Sequence, residues 1–118
     1  MEIKTGTTKA EILPLLRDVL QAKLFVAGRL AKPIFRDVIK TRQLDPIAAI
    51  CVAYSEQKPI AWTVRTTEDW RTGCDDSEPR TENEIWWRFT SPEHRNKGIC
   101  TNLKEELKQV LQNINSNN

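Results

Sequence analysis

An aromatic run followed by a basic turn and an amphipathic stretch constrains the fold more than any other part of the chain. Residues 85–89 read Ile-Trp-Trp-Arg-Phe, a composition typical of a β-strand. Residues 90–101 form a polar segment that contains a glycine and two basic side chains. Leucine and valine then recur at helical spacing over 102–111. The sequence therefore predicts a strand, a turn and a helix in direct succession.

A turn of this kind is suited to binding an anion. The first N–H groups of a helix have no acceptor within it, and the helix dipole adds partial positive charge at the same place. Phosphates bind helix N-termini for this reason. Gly98 would let the backbone approach an anion closely, and Arg95 and Lys97 add charge. The alternative is a solvated turn whose glycine is needed only for a positive φ, with His94 as an exposed turn residue.

The same residues resemble the acyl-coenzyme A binding motif of the GNAT superfamily of N-acetyltransferases. That motif reads Arg/Gln-x-x-Gly-x-Gly/Ala. Here Arg95-Asn-Lys-Gly-Ile-Cys100 stands in its place, with Pro92-Glu93 ahead of it. The last position differs, because Cys100 replaces the usual glycine or alanine, although cysteine is also small. The resemblance implies an α/β (α+β) GNAT-like fold with acetyl-CoA (acetyl-coenzyme A) as the acyl donor.

The rest of the chain adds two helices and a hairpin to this prediction. Thr8-Lys-Ala-Glu11 is a capping box that opens the first helix, and a second helix is predicted from about Pro33 to residue 44. Apolar runs over 47–54 and 59–66 predict an antiparallel hairpin. Polar residues 67–83 read as a loop.

The predicted element order is therefore α-α-β-β-β-α, in a mainly antiparallel sheet flanked by helices. Residues 1–112 are predicted to form a single domain, followed by a frayed tail at 113–118. A full GNAT protein continues with a further strand, helix and strand, so the resemblance implies that this C-terminal part is lacking. The last strand would then lie at an open sheet edge, which favours a homodimer or a complex with another protein.

The resemblance also assigns residues to the acyl donor. Backbone groups of Arg88, Phe89 and Thr90 match those that position the pantetheine and polarise the thioester carbonyl in the family. The residues that match the diphosphate loop are Arg95, Asn96, Lys97, Gly98, Ile99, Cys100 and Thr101.

A catalytic base is harder to assign. Some family members use a strand glutamate at the position that matches Trp86, and the nearest carboxylate here is Glu84. The other interpretation of Glu84 is a solvated residue at the start of a strand. The family's usual leaving-group acid is a tyrosine on a helix that this chain lacks. Tyr54, the only tyrosine, lies on a different strand.

Composition argues against several other classes of protein. The net charge is +2, without a basic stripe, which argues against a nucleic-acid partner. No segment is long and apolar enough to span a membrane. Three widely spaced cysteines and one histidine do not form a metal motif or a disulfide framework, so we expect no metal and a cytoplasmic location.

Two hypotheses from different classes follow. The first is an enzyme, an acetyl-CoA-dependent N-acyltransferase that acts on an amine of a protein or small molecule. The second is a GNAT-like module that binds a coenzyme A species or a protein without turnover. Short chains of this kind occur among phage-encoded proteins that act on host proteins, so the second hypothesis includes a host protein as partner.

Overall fold

Four antiparallel strands form a sheet in the order β1-β2-β3-β4. The computed structural model describes residues 1–24, 47–66 and 85–116, together with Arg36. The strands and helices are β1 (Glu2–Gly6), α1 (Lys9–Gln21), β2 (Ile47–Ser55), β3 (Lys58–Thr66), β4 (Ile85–Thr90), a 3₁₀ turn (Pro92–His94) and α2 (Ile99–Ser116). The predicted α+β class and the mainly antiparallel sheet are confirmed.

The hairpin between β2 and β3 turns on two residues. Ser55 pairs with Lys58, so Glu56 and Gln57 form the loop, with φ of 51° and 68°. Positive φ at both positions is the geometry of a type I′ turn, whose twist matches that of the strands. Neither residue is the asparagine or glycine that usually marks this turn, so the apolar strands on either side impose it.

Side chains alternate along a strand, so the sheet has two faces, and among the described residues α1 packs on one and α2 on the other. The face toward α1 carries large side chains, including Val52, Trp62 and Phe89. The face toward α2 carries small ones from β2 and β3, which let Leu103 and Leu107 of the helix approach closely. The small residues are Ala49, Cys51, Ala53 and Ala61.

The sequence pattern did not predict the strand β1, which precedes α1, so the predicted element order differs from the observed one at its start. Glu2 to Gly6 pair residue by residue with Tyr54 to Ile50 of β2. The apolar Ile3 of this strand is 36% exposed, so β1 is held mainly by main-chain hydrogen bonds and leaves little periodicity in the sequence. At Gly6 a Cβ atom would come within 3.0 Å of the carbonyl carbon of Glu11, which explains the glycine.

Two other predictions differ from the structure or lie outside its described part. The final helix continues to Ser116, so residues 113–116 of the predicted tail have helical backbone. Ile114 on this last turn is 41% exposed, so these residues continue the hydrogen-bond ladder of a long helix without packing in the core. The predicted second helix, apart from Arg36 with its helical backbone, and the loop at 67–83 lie outside the described residues. No helix in the described part of the chain is long and apolar enough to cross a membrane.

Candidate functional site

The turn after β4 is held by hydrogen bonds of its own and by the neighbouring strand. The N–H of Ser91 donates to the carbonyl oxygen of Ile60 at 2.8 Å, and the N–H of His94 donates to that of Ser91 at 2.9 Å. The Oγ of Ser91 lies 3.1 Å from Nδ1 of His94. These bonds form the 3₁₀ turn and bring the chain to residues 95–98 in a defined position.

Two positive φ angles then reverse the chain into α2. Asn96 has a φ of 67° and Gly98 a φ of 70°, and asparagine and glycine are the residues that tolerate this conformation best. A Cβ atom added at Gly98 would meet nothing within 4 Å, so the space beside this backbone is open. A ligand can therefore approach the main chain at Gly98.

The start of α2 presents amide groups toward the same space. Its first helical bond runs from the N–H of Asn102 to the carbonyl oxygen of Gly98, at 3.1 Å. By helix geometry the N–H groups of Ile99, Cys100 and Thr101 have no acceptor inside the helix. These donors and the helix dipole make the site electropositive.

An open cleft of about 540 Å³ lies at this turn. Every residue that was predicted to bind the coenzyme, except Lys97, lines this cleft. The structure therefore brings the end of β4 and the turn before α2 together. His94, interpreted as an exposed turn residue, is half-buried and lines the cleft as well. The lining residues are Arg88, Phe89, Thr90, His94, Arg95, Asn96, Gly98, Ile99, Cys100 and Thr101.

The guanidinium of Arg95 is held against the end of β4. Its Nε donates to the carbonyl oxygen of Thr90 at 3.1 Å, and the group lies 5.8 Å from the ring centroid of Phe89. One donor is used in this way, and the remaining N–H groups of the exposed side chain can bind an anion.

The thiol of Cys100 is directed toward β4. Its Sγ lies 2.8 Å from Oγ1 of Thr90 and 3.4 Å from the carbonyl oxygen of Phe89. The side chain thus ties the start of α2 to the end of the strand. This contact shows how a cysteine fits where the GNAT motif usually has glycine or alanine.

Main-chain N–H and C=O groups of β4 lie along its outer edge, which is the edge that faces away from β3. The N–H of Ser91 donates to the carbonyl oxygen of Ile60 on β3. Along an antiparallel strand the main-chain groups of successive residues point to opposite edges. Those of Arg88 and Thr90 therefore point away from β3. The backbone of Phe89 pairs with β3 instead, so it faces the other edge of the strand. The ladder from Thr90 to Ile85 runs without a register shift.

Tyr54, the only tyrosine in the sequence, does not line the cleft. Glu84 lies outside the described residues. The hydroxyl of Tyr54 donates to Oδ2 of Asp18 at 2.6 Å, in the layer between the sheet and α1. Burial, this hydrogen bond and the charge of Asp18 raise the pKa of Tyr54, which keeps its proton in place.

Comparison with known proteins gives structures but no sequence relatives. No family model matches the chain, and no curated protein matches it. Aminoglycoside N-acetyltransferase AAC(6')-Iy in complex with CoA matches with a TM-score of 0.51 and 17% identity, over 95% of this chain and 69% of that protein. Aminoglycoside antibiotic 6'-N-acetyltransferase AAC(6')-IG from Acinetobacter haemolyticus matches with a TM-score of 0.54 and 17% identity, over 98% and 74%.

A third structure extends the likeness to a protein-acetylating enzyme. Ribosomal-protein-alanine N-acetyltransferase from Brucella melitensis biovar Abortus 2308 matches with a TM-score of 0.55 and 13% identity, over 96% of this chain and 72% of that one. Identities this low establish the architecture and no more. Over the length that it spans, this chain has the fold of the GNAT N-acetyltransferases, and it covers about 70% of the length of these structures.

Proposed function

We propose that the chain is an acetyl-CoA-dependent N-acyltransferase of GNAT type, which transfers an acetyl group to an amine of a protein or small molecule. The observation that carries this proposal is the cleft at the start of α2. Amide donors, a positive-φ glycine with open space beside it and a tethered arginine converge there. A solvated turn without a ligand would not need these features in one place.

In this proposal the turn binds the diphosphate of the coenzyme. The N–H groups of Ile99, Cys100 and Thr101 donate to its oxygens, as helix N-termini do for phosphates. Gly98 allows close approach, and Arg95 compensates charge with the donors that Thr90 leaves unused. Lys97 is exposed at the rim of the turn and contributes charge at longer range. A CoA complex of one solved structure with this fold supports the assignment.

The thioester would lie along the outer edge of β4. The outward N–H groups of Arg88 and Thr90 are placed to position the pantetheine and to polarise the thioester carbonyl. A neutral amine attacks that carbonyl carbon and forms the new C–N bond. The C–S bond then breaks, and the thiolate of coenzyme A takes up a proton as the amine loses one. A lysine amine has a pKa near ~10.4, so a base must assist. Glu84 remains our candidate for that role.

Calorimetry with acetyl-CoA tests the site. We expect the wild type to bind and Gly98→Glu to lose binding, because a carboxylate would fill the open space and repel the diphosphate. Gly98→Ala is the matched control. It shares the strain of a side chain at a φ of 70° but adds only a Cβ that meets nothing within 4 Å. We expect Gly98→Ala to retain most of the affinity. Equal affinity in wild type and Gly98→Glu would remove the assignment.

A module that binds coenzyme A or a protein without turnover is the second candidate. It is favoured by the position of Tyr54, whose hydroxyl is bonded to Asp18 away from the cleft. Release of free thiol from acetyl-CoA, measured with a panel of amines, separates the two candidates. Amine-dependent release supports the enzyme. Tight binding of acetyl-CoA with no release supports the module.

A further inference from the structure

A second pocket, which we call the α2 pocket, lies between the sheet and the flank of α2. Its volume is about 510 Å³. The helix contributes residues spaced three and four apart, which lie on one face of a helix. The strands contribute side chains from the face of the sheet that packs against α2. The lining residues are Thr63, Trp86, Arg88, Cys100, Thr101, Lys104, Glu105 and Lys108.

Positive charge dominates this lining. Lys104 and Lys108 are half-buried, and Arg88 reaches the pocket from β4. Among the described residues that line the pocket, Glu105 alone is acidic, and it is exposed. The ammonium of Lys104 lies 5.3 Å from the ring centroid of Trp86, and this contact holds it at the pocket wall. An anion entering the pocket would meet an excess of cations.

One residue that lines the pocket, Thr63, has a buried hydroxyl. Thr63 is 1% exposed, and its Oγ1 has no hydrogen-bond partner among the described residues. A buried hydroxyl is rarely left unsatisfied, because burial removes its bonds to water. Thr63 therefore supplies an observation independent of the surface charges. A ligand oxygen in the pocket would satisfy it.

The α2 pocket adjoins the coenzyme cleft. Arg88, Cys100 and Thr101 line both. One molecule with two separate anionic groups could therefore place one in each. Coenzyme A is such a molecule, since its ribose carries a 3′-phosphate in addition to the diphosphate.

We propose that the α2 pocket binds a phosphate monoester, held by Lys104, Lys108 and the hydroxyl of Thr63. The monoester comes either from the ribose 3′-phosphate of coenzyme A or from a separate phosphorylated ligand. The first source depends on the proposed function, and the second does not.

Calorimetry with three ligands tests the proposal and separates the sources. Coenzyme A and dephospho-coenzyme A differ only in the 3′-phosphate, and phenyl phosphate is a free monoester without a diphosphate. Each is titrated into wild type and into the double variant Lys104→Gln/Lys108→Gln. The control is Lys9→Gln/Lys58→Gln, which removes the same charge at exposed positions that do not line the pocket.

We expect wild type to bind coenzyme A about tenfold more tightly than dephospho-coenzyme A, as charge-assisted hydrogen bonds would give. This ratio should fall to about one in the pocket variant and persist in the control. If the two coenzymes bind equally but phenyl phosphate binds wild type and not the pocket variant, the proposal stands with a separate ligand.

Two results would overturn it. One is that the pocket variant keeps the wild-type preference for coenzyme A over dephospho-coenzyme A, or binds phenyl phosphate as tightly as wild type does. The other is the absence of both in wild type. If neither coenzyme binds at all, the proposed function fails, while the phenyl phosphate titration still tests the pocket.

Thr63→Val provides a second readout that does not depend on the lysines. The substitution keeps the shape of the side chain and removes its unpartnered hydroxyl. We expect the ligand-free protein to melt at an equal or higher temperature and to bind the monoester more weakly. A fall in melting temperature with unchanged binding would assign the hydroxyl a purely structural role and contradict its place in the site.

Discussion

Among single residues, Cys51 has the clearest link between burial and pH. It lies on β2 with 0% exposure, packed against the face of α2. Burial, with a smaller contribution from the charge of Glu106, raises its pKa to about 12. Its thiol is therefore an inert part of the core.

Alkaline pH should destabilise the fold through Cys51. The unfolded chain ionises this thiol from about pH 8.5, while the folded protein keeps it protonated up to its raised pKa. The free energy of unfolding of wild type should then fall by up to ~1.4 kcal/mol per pH unit in that window through this group. Urea unfolding of wild type and Cys51→Ala from pH 8 to 10 measures the difference. Parallel pH dependence of the two would contradict the assignment.

At the scale of an element, α1 shows how local sequence forms structure. The side chain of Thr8 accepts from the N–H of Glu11 at 3.3 Å, and Oε1 of Glu11 accepts from the N–H of Thr8 at 3.2 Å. This reciprocal pair is the predicted capping box, and it is confirmed. Hydrogen bonds from Thr7 and Thr8 lower the pKa of the Glu11 carboxyl, because they stabilise its ionised form.

Removal of the cap should cost stability without changing the fold. We expect Thr8→Ala to lower the free energy of unfolding by about 1 kcal/mol, because an N–H group at the helix start loses its acceptor. Chemical unfolding measures the change. Lys9→Ala, an exposed position in the same turn, is the control and should change stability little. A Thr8→Ala variant as stable as the control would mean that water replaces the cap fully.

For the whole molecule, the outer edge of β4 is the feature that bears on its assembly. Among the described residues β4 pairs only with β3, and no described strand lies along its other edge. The solved structures with this fold are longer, and this chain spans 69% to 74% of the three compared above. A strand from a second copy placed along Trp86 would cover the first half of β4. It would leave the outward groups of Arg88 and Thr90 to the pantetheine.

We therefore expect a homodimer at high concentration. Sedimentation of the wild type measures it, and a wild type that stays monomeric at high concentration would contradict the expectation. Trp86→Pro should dissociate the dimer, because the lost N–H faces the outer edge and not β3. Trp86→Ala is the matched control. It removes the indole but keeps the N–H, and we expect it to remain more dimeric than Trp86→Pro.

Much of the fold was predictable because its signals are local. The capping box, the hairpin and the strand–turn–helix succession each depend on residues a few positions apart. Trp86 and Trp87 are adjacent in β4, and side chains alternate along a strand, so they lie on opposite faces of the sheet. They pack against the two different clusters, Trp86 toward α2 and Trp87 toward α1.

The sequence by itself determined that a basic turn with a glycine leads into the last helix, because the residues that signal the turn and the helix start are near neighbours in the chain. Only the tertiary structure decided that β1 joins the sheet, that the thiol of Cys100 contacts Thr90, and which backbone groups of β4 face outward. It also decided that Thr63 and Lys104, 41 positions apart in the chain, line one pocket. Contacts between distant parts of the chain leave no local pattern, since each depends on how the strands pair and where α2 packs.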